Sequence, residues 1–255
     1  MKREIHRKIQ RTRCLELLLF MTCIPMIGSG QNLDSLEQVV KTNKLTDQEK
    51  VDKYKGLALG YINDDPIRSR SFSLKGLHWA EVTGDQKSKA KFLYYLGSAY
   101  YVSMVFDSSA IYLDKALVLT RQNKDKDEEV PILKMYGQLY RRQGYYKKAL
   151  ERYFEAAKLG ERLQDDQKLC DVYMGIGGTY HLMQNDKQAL RYYGKAEKIA
   201  LKHGNGQNLG DIYLSLSSVY KNEDGGKDKA IYYAKESLRT HRRSGNLSNE
   251  ISALQ

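Results

Sequence analysis

Side chains that could carry catalysis or hold a metal are scattered through this 255-residue sequence rather than grouped. The histidines show no paired metal-ligand spacing, and each falls in a different segment. No nucleophile has a recognisable base beside it. We therefore predict that the protein is not an enzyme and that it uses no metal and no cofactor. The histidines are His6, His78, His181, His203 and His241.

Two glycine-containing segments imitate nucleotide-binding loops. Gly204, Gly206 and Gly210 approach a dinucleotide-binding pattern, but a predicted helix precedes them where that pattern needs a strand. Gly175 to Gly178 (GIGG) fall inside another predicted helix, so we interpret them as a loosened helix and not as a phosphate cradle. Neither segment indicates nucleotide chemistry.

A repeat of forty residues organises most of the chain. Read at helical spacing, residues 130–162 form two amphipathic segments separated by Gly144, a helical hairpin whose apolar face must pack on a neighbour. Recurrence at a fixed period is typical of a solenoid, in which each hairpin buries its face on the next. The recurring residues are Gly97, Gly137, Gly177 and Ser217; Tyr100, Tyr140, Tyr180 and Tyr220; Ser109, Ala149, Ala189 and Ala230; and Gly76, Ala116, Ala156, Ala196 and Ser237.

These positions resemble the tetratricopeptide repeat (TPR) pattern, with a small residue and an aromatic on the first helix, then Ala, an aromatic and Ala on the second. Its two clearest copies are Gly137, Tyr140, Ala149, Tyr153 and Ala156, and Gly177, Tyr180, Ala189, Tyr193 and Ala196. The common TPR period is about 34 residues, so the extra residues are expected to lengthen the helices and the turns between repeats. The resemblance implies an all-α fold, a right-handed TPR superhelix (α-solenoid) of about five helical hairpins.

The predicted organisation runs from a leader to an incomplete last repeat. Residues 31–46 are expected to form a leader or capping segment before the solenoid at 47–246. Residues 247–255 begin a further helix, which indicates a truncated chain. The predicted repeats are 47–85, 86–126, 127–166, 167–205 and 206–246.

Residues 1–30 have the features of a signal peptide. A basic segment precedes an apolar run at 17–27, which is about half of the roughly 20 residues needed to cross a bilayer. We predict export to the periplasm with cleavage near Gly30/Gln31. The alternatives are a retained membrane anchor and a misassigned start codon. A longer full-length chain could also be anchored in the membrane through a missing C-terminal part.

Cleavage at that position would change the charge and the cysteine content. The formal net charge of +11 would lose six cations and two anions and fall to +7. The remaining charges are interspersed, so nucleic acid is not a predicted partner. Cys170 would be left as the single cysteine, and we expect it to be a buried small hydrophobe without a disulfide partner.

The TPR resemblance also implies a groove, because the first helix of each TPR hairpin lines the concave face. We expect Lys134, Arg141 and Arg142 to form a basic patch there. Tyr94 and Tyr101 should flank this patch, which would suit an extended acidic segment. The alternative is that both arginines are solvated surface paired with glutamates of the next helix. The candidate groove residues are Lys91, Tyr94, Tyr101, Lys134, Gln138, Arg141, Arg142, Met174, His181 and Lys221.

The predicted function is protein or peptide binding by an exported, non-enzymatic module. Long-period TPR arrays behind a signal sequence resemble the input regions of bacterial membrane-bound signalling regulators. The resemblance thus implies the extracytoplasmic sensory or scaffold part of a larger signalling protein. Its partner would be an acidic or aromatic peptide or protein segment, or another part of its own longer chain. The alternatives are a freestanding periplasmic scaffold protein and, if the leader is misread, a cytoplasmic peptide-responsive TPR regulator.

Overall fold

The computed structural model describes residues 29–42, 44–223 and 225–244. Most of the predicted signal peptide at 1–30 and the predicted helix at 247–255 lie outside these residues. The chain divides into two compact units at residues 43/44. Helix α1, Ser29–Lys41, belongs to the first unit and includes the predicted cleavage point at Gly30/Gln31.

Ten helices of the second unit pair into five antiparallel hairpins, and its described residues contain no strand. The second helix of each hairpin packs on the first helix of the next. This arrangement confirms the predicted α-solenoid of helical hairpins. The pairs are α2 (Asp47–Gly60) with α3 (Pro66–Val82), α4 (Gln86–Val102) with α5 (Phe106–Gln122), α6 (Lys126–Arg142) with α7 (Tyr146–Leu163), α8 (Asp166–Leu182) with α9 (Asp186–Lys202), and α10 (Gly206–Lys221) with α11 (Lys227–Ser244).

The start of each first helix from α4 onward is set by a side-chain cap. Asp85, Asp125, Asp165 and Asn205, spaced forty residues apart, each accept a hydrogen bond from the backbone N–H three residues later. Such a cap satisfies one of the N–H groups that a helix start leaves unpaired, and its loss typically costs about 1 kcal/mol. The caps therefore fix the register of the repeats.

The turns are shorter than predicted. Connectors such as 103–105 and 123–125 contain three residues, so the long period resides in helices of 16–18 residues from α3 onward. Each of these turns has one residue in the left-handed region, such as Met104 at φ 59° and Lys124 at φ 56°. The next residue donates its N–H to a carbonyl five residues back, as from Val105 to Tyr100 at 2.9 Å. This Schellman motif satisfies the last carbonyls of the helix within three residues, so the next helix can begin immediately afterwards.

The repeated glycines of the third and fourth hairpins make room for a large ring from the second helix of the same hairpin. A Cβ at Gly137 would lie 2.6 Å from the Tyr153 ring, and one at Gly177 would lie 2.9 Å from the Tyr193 ring. Side chains at Ala149 and four related positions complete the core. These five alanines, all buried, are Ala149, Ala156, Ala189, Ala196 and Ala230.

The repeated tyrosines stack on a second tyrosine of the same hairpin. Tyr180, for example, stacks on Tyr192 with ring centroids 5.8 Å apart. In the third hairpin Arg152 occupies the position equivalent to Tyr192, and Tyr140 stacks on Tyr136 of its own helix instead. The equivalent stacks elsewhere are Tyr100 on Tyr112 and Tyr220 on Tyr233.

Candidate functional site

The first helices of successive hairpins, α4, α6, α8 and α10, also contact one another directly. The second helices make no comparable contact with the second helices of neighbouring hairpins among the described residues. Since the first helices approach more closely, they line the inner side of the curve of this unit. This is the surface on which the resemblance implies a groove.

A cavity of about 370 Å³ opens where α6, α8 and α10 meet. Four of the candidate groove residues, Lys134, Gln138, Arg141 and Met174, line it. Side chains of the second helices α7 and α9 close its base. The other lining residues are Tyr153, Asp171, Gly175, Gly178, Tyr193, Asn208, Asp211 and Ser215.

Tyr153 reaches the base of the cavity from α7 and is fully buried. Its ring packs against the backbone of α8, because a Cβ at Gly175 would lie only 2.5 Å from it. The Tyr153 hydroxyl has no acceptor for its proton, because the nearby Arg141 guanidinium can only donate to it. Burial raises the pKa of Tyr153 to about 12, while the Arg141 guanidinium acts to lower it. The phenol is therefore neutral and keeps its proton to donate.

Arg141 is the second polar group without a full set of partners. Its Nε is buried and has no hydrogen-bond partner, and Arg141 forms no ion pair within the described part of the chain. Its Nη1 lies 3.0 Å from the position that a Cβ at Gly178 would take, and the Tyr193 hydroxyl lies 3.4 Å from the same point. A buried donor without an acceptor typically costs about 1–3 kcal/mol. This end of the cavity therefore offers donors that the protein itself does not satisfy.

Lys134, at the other end of the cavity, is already paired. Its Nζ lies 2.7 Å from Asp171 Oδ2, and Asn208 donates to the other oxygen of that carboxylate at 3.2 Å. Burial alone would lower the pKa of Lys134, but the Asp171 carboxylate outweighs burial and the pKa lies above its ordinary value. Lys134 thus remains charged and joins α6 to α8.

Contacts between neighbouring first helices recur at a separation of 37 residues. Lys91 of α4 pairs with Glu128 of α6 at 2.8 Å, and Lys134 repeats this contact one hairpin later. The ring Nε2 of His181 meets Ser218 Oγ at 3.3 Å, again 37 residues on. This separation equals the forty-residue repeat minus about one helical turn. It could therefore be predicted from the sequence once the period was known.

The predicted basic patch of three cations is not present as one surface. Lys134 and Arg141 share the cavity, but Arg142 is exposed and lies over the ring of Tyr101 at 5.4 Å. Residues one apart on a helix point about 100° apart, which separates the two arginines. Neither arginine pairs with a glutamate of the next helix within the described residues, although Arg142 has the exposed position that this alternative expected. Tyr94 lies near Lys134, as expected.

The remaining candidates lie outside the cavity. At the end of α8, His181 Nδ1 contacts Asp186 at 2.7 Å. Together with the contact between Nε2 and Ser218, this holds the ring by both nitrogens. Lys221 is exposed at the last position of α10. Lys91 faces the groove one hairpin earlier through its contact with Glu128. The structure therefore brings together four of the ten candidates and distributes the others along α4, α6, α8 and α10.

The glycine run of α8 has a different role from the predicted loosening. Helix α8 is continuous from Asp166 to Leu182, so the prediction of a loosened helix is wrong. Gly175, Gly177 and Gly178 each face a side chain that a Cβ would crowd, and packing replaces the stability lost to glycine. Sequence reasoning missed Gly175 as a cavity residue because it assigned the close-packing role to Gly177 alone.

Catalytic chemistry has no visible support in the described residues. They contain no cluster of three or more metal-ligating side chains. Cys170 is buried as predicted, its thiol contacts Asn208 at 3.5 Å, and burial raises its pKa. None of the described helices combines the length and apolar character needed to cross a membrane.

Comparison with known proteins places the fold. No protein-family model matches the sequence, and no curated protein does. Among solved structures, a signal-transduction ATPase of Pyrococcus horikoshii with a tetratricopeptide repeat sensor aligns with a TM-score of 0.66 at 20% identity, over 84% of this chain and 33% of that one. The chain has a TPR-like fold.

Two further TPR-like neighbours extend the comparison. BtubC (BKLC) from P. vanneervenii aligns with a TM-score of 0.66 at 18% identity, over 85% of this chain and 89% of that one. NprR in complex with its cognate peptide NprX aligns with a TM-score of 0.67 at 16% identity, over 88% of this chain and 64% of that one. The TPR solenoid is thus similar to repeat arrays that belong to otherwise different proteins.

Proposed function

We propose that this TPR solenoid is a non-enzymatic module that binds an extended peptide along α4, α6, α8 and α10. The observation that carries the proposal is the cavity on the inner surface, where buried donors of Arg141 and Tyr153 have no protein partner. Sites for ligands are concave and place a few polar groups among apolar ones, as this cavity does. Similarity to NprR, which was solved with its cognate peptide, supports a peptide as the ligand class.

The role that fits this ligand class is a peptide-responsive regulator, the alternative that the sequence left open. Similarity to NprR supports it better than it supports an exported scaffold. Export itself rests on residues 1–30 and is a separate proposal, because peptide binding by the solenoid does not depend on where the protein resides.

A library of random decapeptides tests the function. Purified full-length chain should enrich a related set of peptides, and fluorescence anisotropy should give saturable binding of the best one. Gln138→Trp fills the cavity mouth and should abolish this binding without changing the melting temperature. Lys147→Trp, at an exposed position of α7, is the control and should bind as wild type. Failure to enrich any peptide, or equal binding by both variants, would show that the function is wrong.

A further inference from the structure

We infer that Arg141 recognises one carboxylate of the bound peptide. It lies at the end of the cavity opposite Lys134, and the hydroxyls of Tyr153 and Tyr193 lie beside it. This inference rests on the proposed function and specifies which chemical group the cavity selects. Three features of the site carry it: the lack of an ion pair at Arg141, the unsatisfied donors and the glycines that keep the site open.

The ion pairs of the cavity leave one cation without a carboxylate partner. Four ionised side chains line the cavity, namely Lys134, Arg141, Asp171 and Asp211. Lys134 is matched by Asp171 at 2.7 Å, and Asp211 lies 3.4 Å from the buried ring of His241. Arg141 is the cation of this set that no carboxylate approaches within the described residues. A single negative charge brought by a ligand would therefore find its partner there.

The donors point to an acceptor-rich ligand. Arg141 Nε and Tyr153 Oη are both buried and both lack an acceptor, and an ionised carboxylate consists of acceptors alone. The planar guanidinium can hold both oxygens of a carboxylate at once, which a lysine at the same position could not do. Tyr153 remains a donor, since burial holds its pKa at about 12.

The space for this contact exists because the fourth repeat differs from the others. At the position of Gly178 the second, third and fifth repeats carry Ser98, Gln138 and Ser218. A Cβ at Gly178 would lie 3.0 Å from Arg141 Nη1. Gly175 likewise admits the Tyr153 ring, which lets the hydroxyl reach the cavity. The two glycines thus favour an open cavity beside Arg141 at this repeat.

The acidic side chains favour a carboxylate over a phosphate. Asp171 and Asp211 line the same cavity of about 370 Å³, so a doubly charged group would meet two negative charges in a confined space. A carboxylate carries one charge, which Arg141 offsets. The group could come from an aspartate or glutamate side chain or from the C-terminus of the peptide, because both present the same two oxygens.

The test uses the peptides enriched on the full-length chain. Each acidic residue of the best peptide is replaced by its amide, Asp by Asn or Glu by Gln, and the C-terminus is amidated in a separate peptide. One of these changes should weaken binding by about tenfold or more, the loss expected for a charge-assisted hydrogen bond. The peptide that loses affinity identifies the source of the carboxylate.

Variants then locate the contact. Arg141→Gln should weaken the acid peptide by the same factor and should bind acid and amide peptides equally. Arg142→Gln removes the same charge from the neighbouring exposed position and should keep the wild-type preference. Gly178→Ala retains Arg141 but adds a methyl group 3.0 Å from Nη1, so it should weaken the acid peptide more than the amide. Unchanged melting temperatures establish that the variants are folded.

Three outcomes overturn the inference. The first is that every amide peptide binds as tightly as its acid counterpart. Peptide binding would then stand, but it would not depend on a carboxylate. The second is that Arg141→Gln still distinguishes acid from amide, which moves the contact elsewhere. The third is that a phosphoserine peptide binds more tightly than the aspartate peptide. If no peptide is enriched at all, the proposed function fails and the inference fails with it.

Discussion

Tyr153 occupies the space that a side chain at Gly175 would need, although the two residues belong to neighbouring hairpins. The ring also covers Gly137 of its own hairpin, so one tyrosine packs against glycines of two first helices. This contact explains why α8 stays helical through its glycines. A tyrosine held from both sides joins the third hairpin to the fourth directly beneath the cavity.

Gly175→Ala should destabilise the protein by about 1–2 kcal/mol, because the new methyl group would lie 2.5 Å from the Tyr153 ring. Urea denaturation measures the change. The matched control is Gly194→Ala in the middle of α9, where a Cβ would meet nothing within 4 Å. That change should instead stabilise the protein by up to about 1 kcal/mol, since alanine is the better helix former. Shifts of the same sign would contradict the packing described here.

Gln184→Gly should stabilise the protein by about 0.5–1 kcal/mol, because Gln184 closes α8 at φ 58°, a region that disfavours side chains with a Cβ. Thermal unfolding provides the measurement. Met183→Gly changes the preceding residue, whose φ is −85°, and should destabilise the protein. A gain from both glycines would mean that the turn geometry is not the cause.

Glu129 should make stability depend on acid pH. Its carboxylate is buried and contacts Arg121 and Lys126, each at 2.7 Å. Burial acts to raise the pKa of Glu129, but the two cations outweigh it and the pKa is lowered. The stabilisation is therefore present above the ordinary glutamate pKa of about 4.3 and is lost as pH falls through the folded-state value.

Glu129→Gln tests this dependence. At pH 7 it should cost about 1–3 kcal/mol, and the difference from wild type should shrink as pH falls below about 4. Glu155→Gln removes a more exposed carboxylate from the same arginine and should cost less than about 1 kcal/mol. Denaturant titrations from pH 7 to pH 3 provide both values. A constant difference across that range would contradict the role of Glu129.

The export proposal predicts a mature protein that begins near Gln31. Mass spectrometry of protein recovered from the periplasmic fraction should find this N-terminus. Recovery of only the intact chain starting at Met1, and only from the cytosol, would refute export. It would leave the cavity and its proposed ligand untouched.

The hairpins could be predicted because their determinants are local and recur. Small residues such as Gly137 and Ala149 allow a neighbouring helix to pack closely at their own position. A cap such as Asp125 accepts a hydrogen bond from the backbone only three residues later. The fold follows from repeating these local effects at a constant interval. The turns were predicted too long because the sequence does not show that Lys124 and Gln164 accept left-handed backbone without glycine.

The cavity could be predicted only in part. The TPR resemblance implies an inner-face position for Lys134 and Arg141, and both line the cavity there. That Lys134 pairs with Asp171 depends on how far one helix is displaced along the next, which a single repeat does not reveal. The contribution of Tyr153 depends on the absence of a Cβ in a different hairpin. Predicting such contacts requires knowledge of which helix faces of neighbouring hairpins pack against each other.

The connectors between α3 and α10 contain two or three residues, which makes forty residues the natural unit by which the repeat array could be lengthened or shortened. Deleting residues 126–165 would place Asp125 directly before Asp166, so that the cap of one helix would serve another with the same backbone. Such a change would shorten the array by one hairpin and keep every remaining interface in phase. A deletion of one residue inside α6 would instead rotate all later side chains of that helix by about 100°. Whole-repeat duplication is accordingly a route by which new ligand specificities could be tried without losing the scaffold.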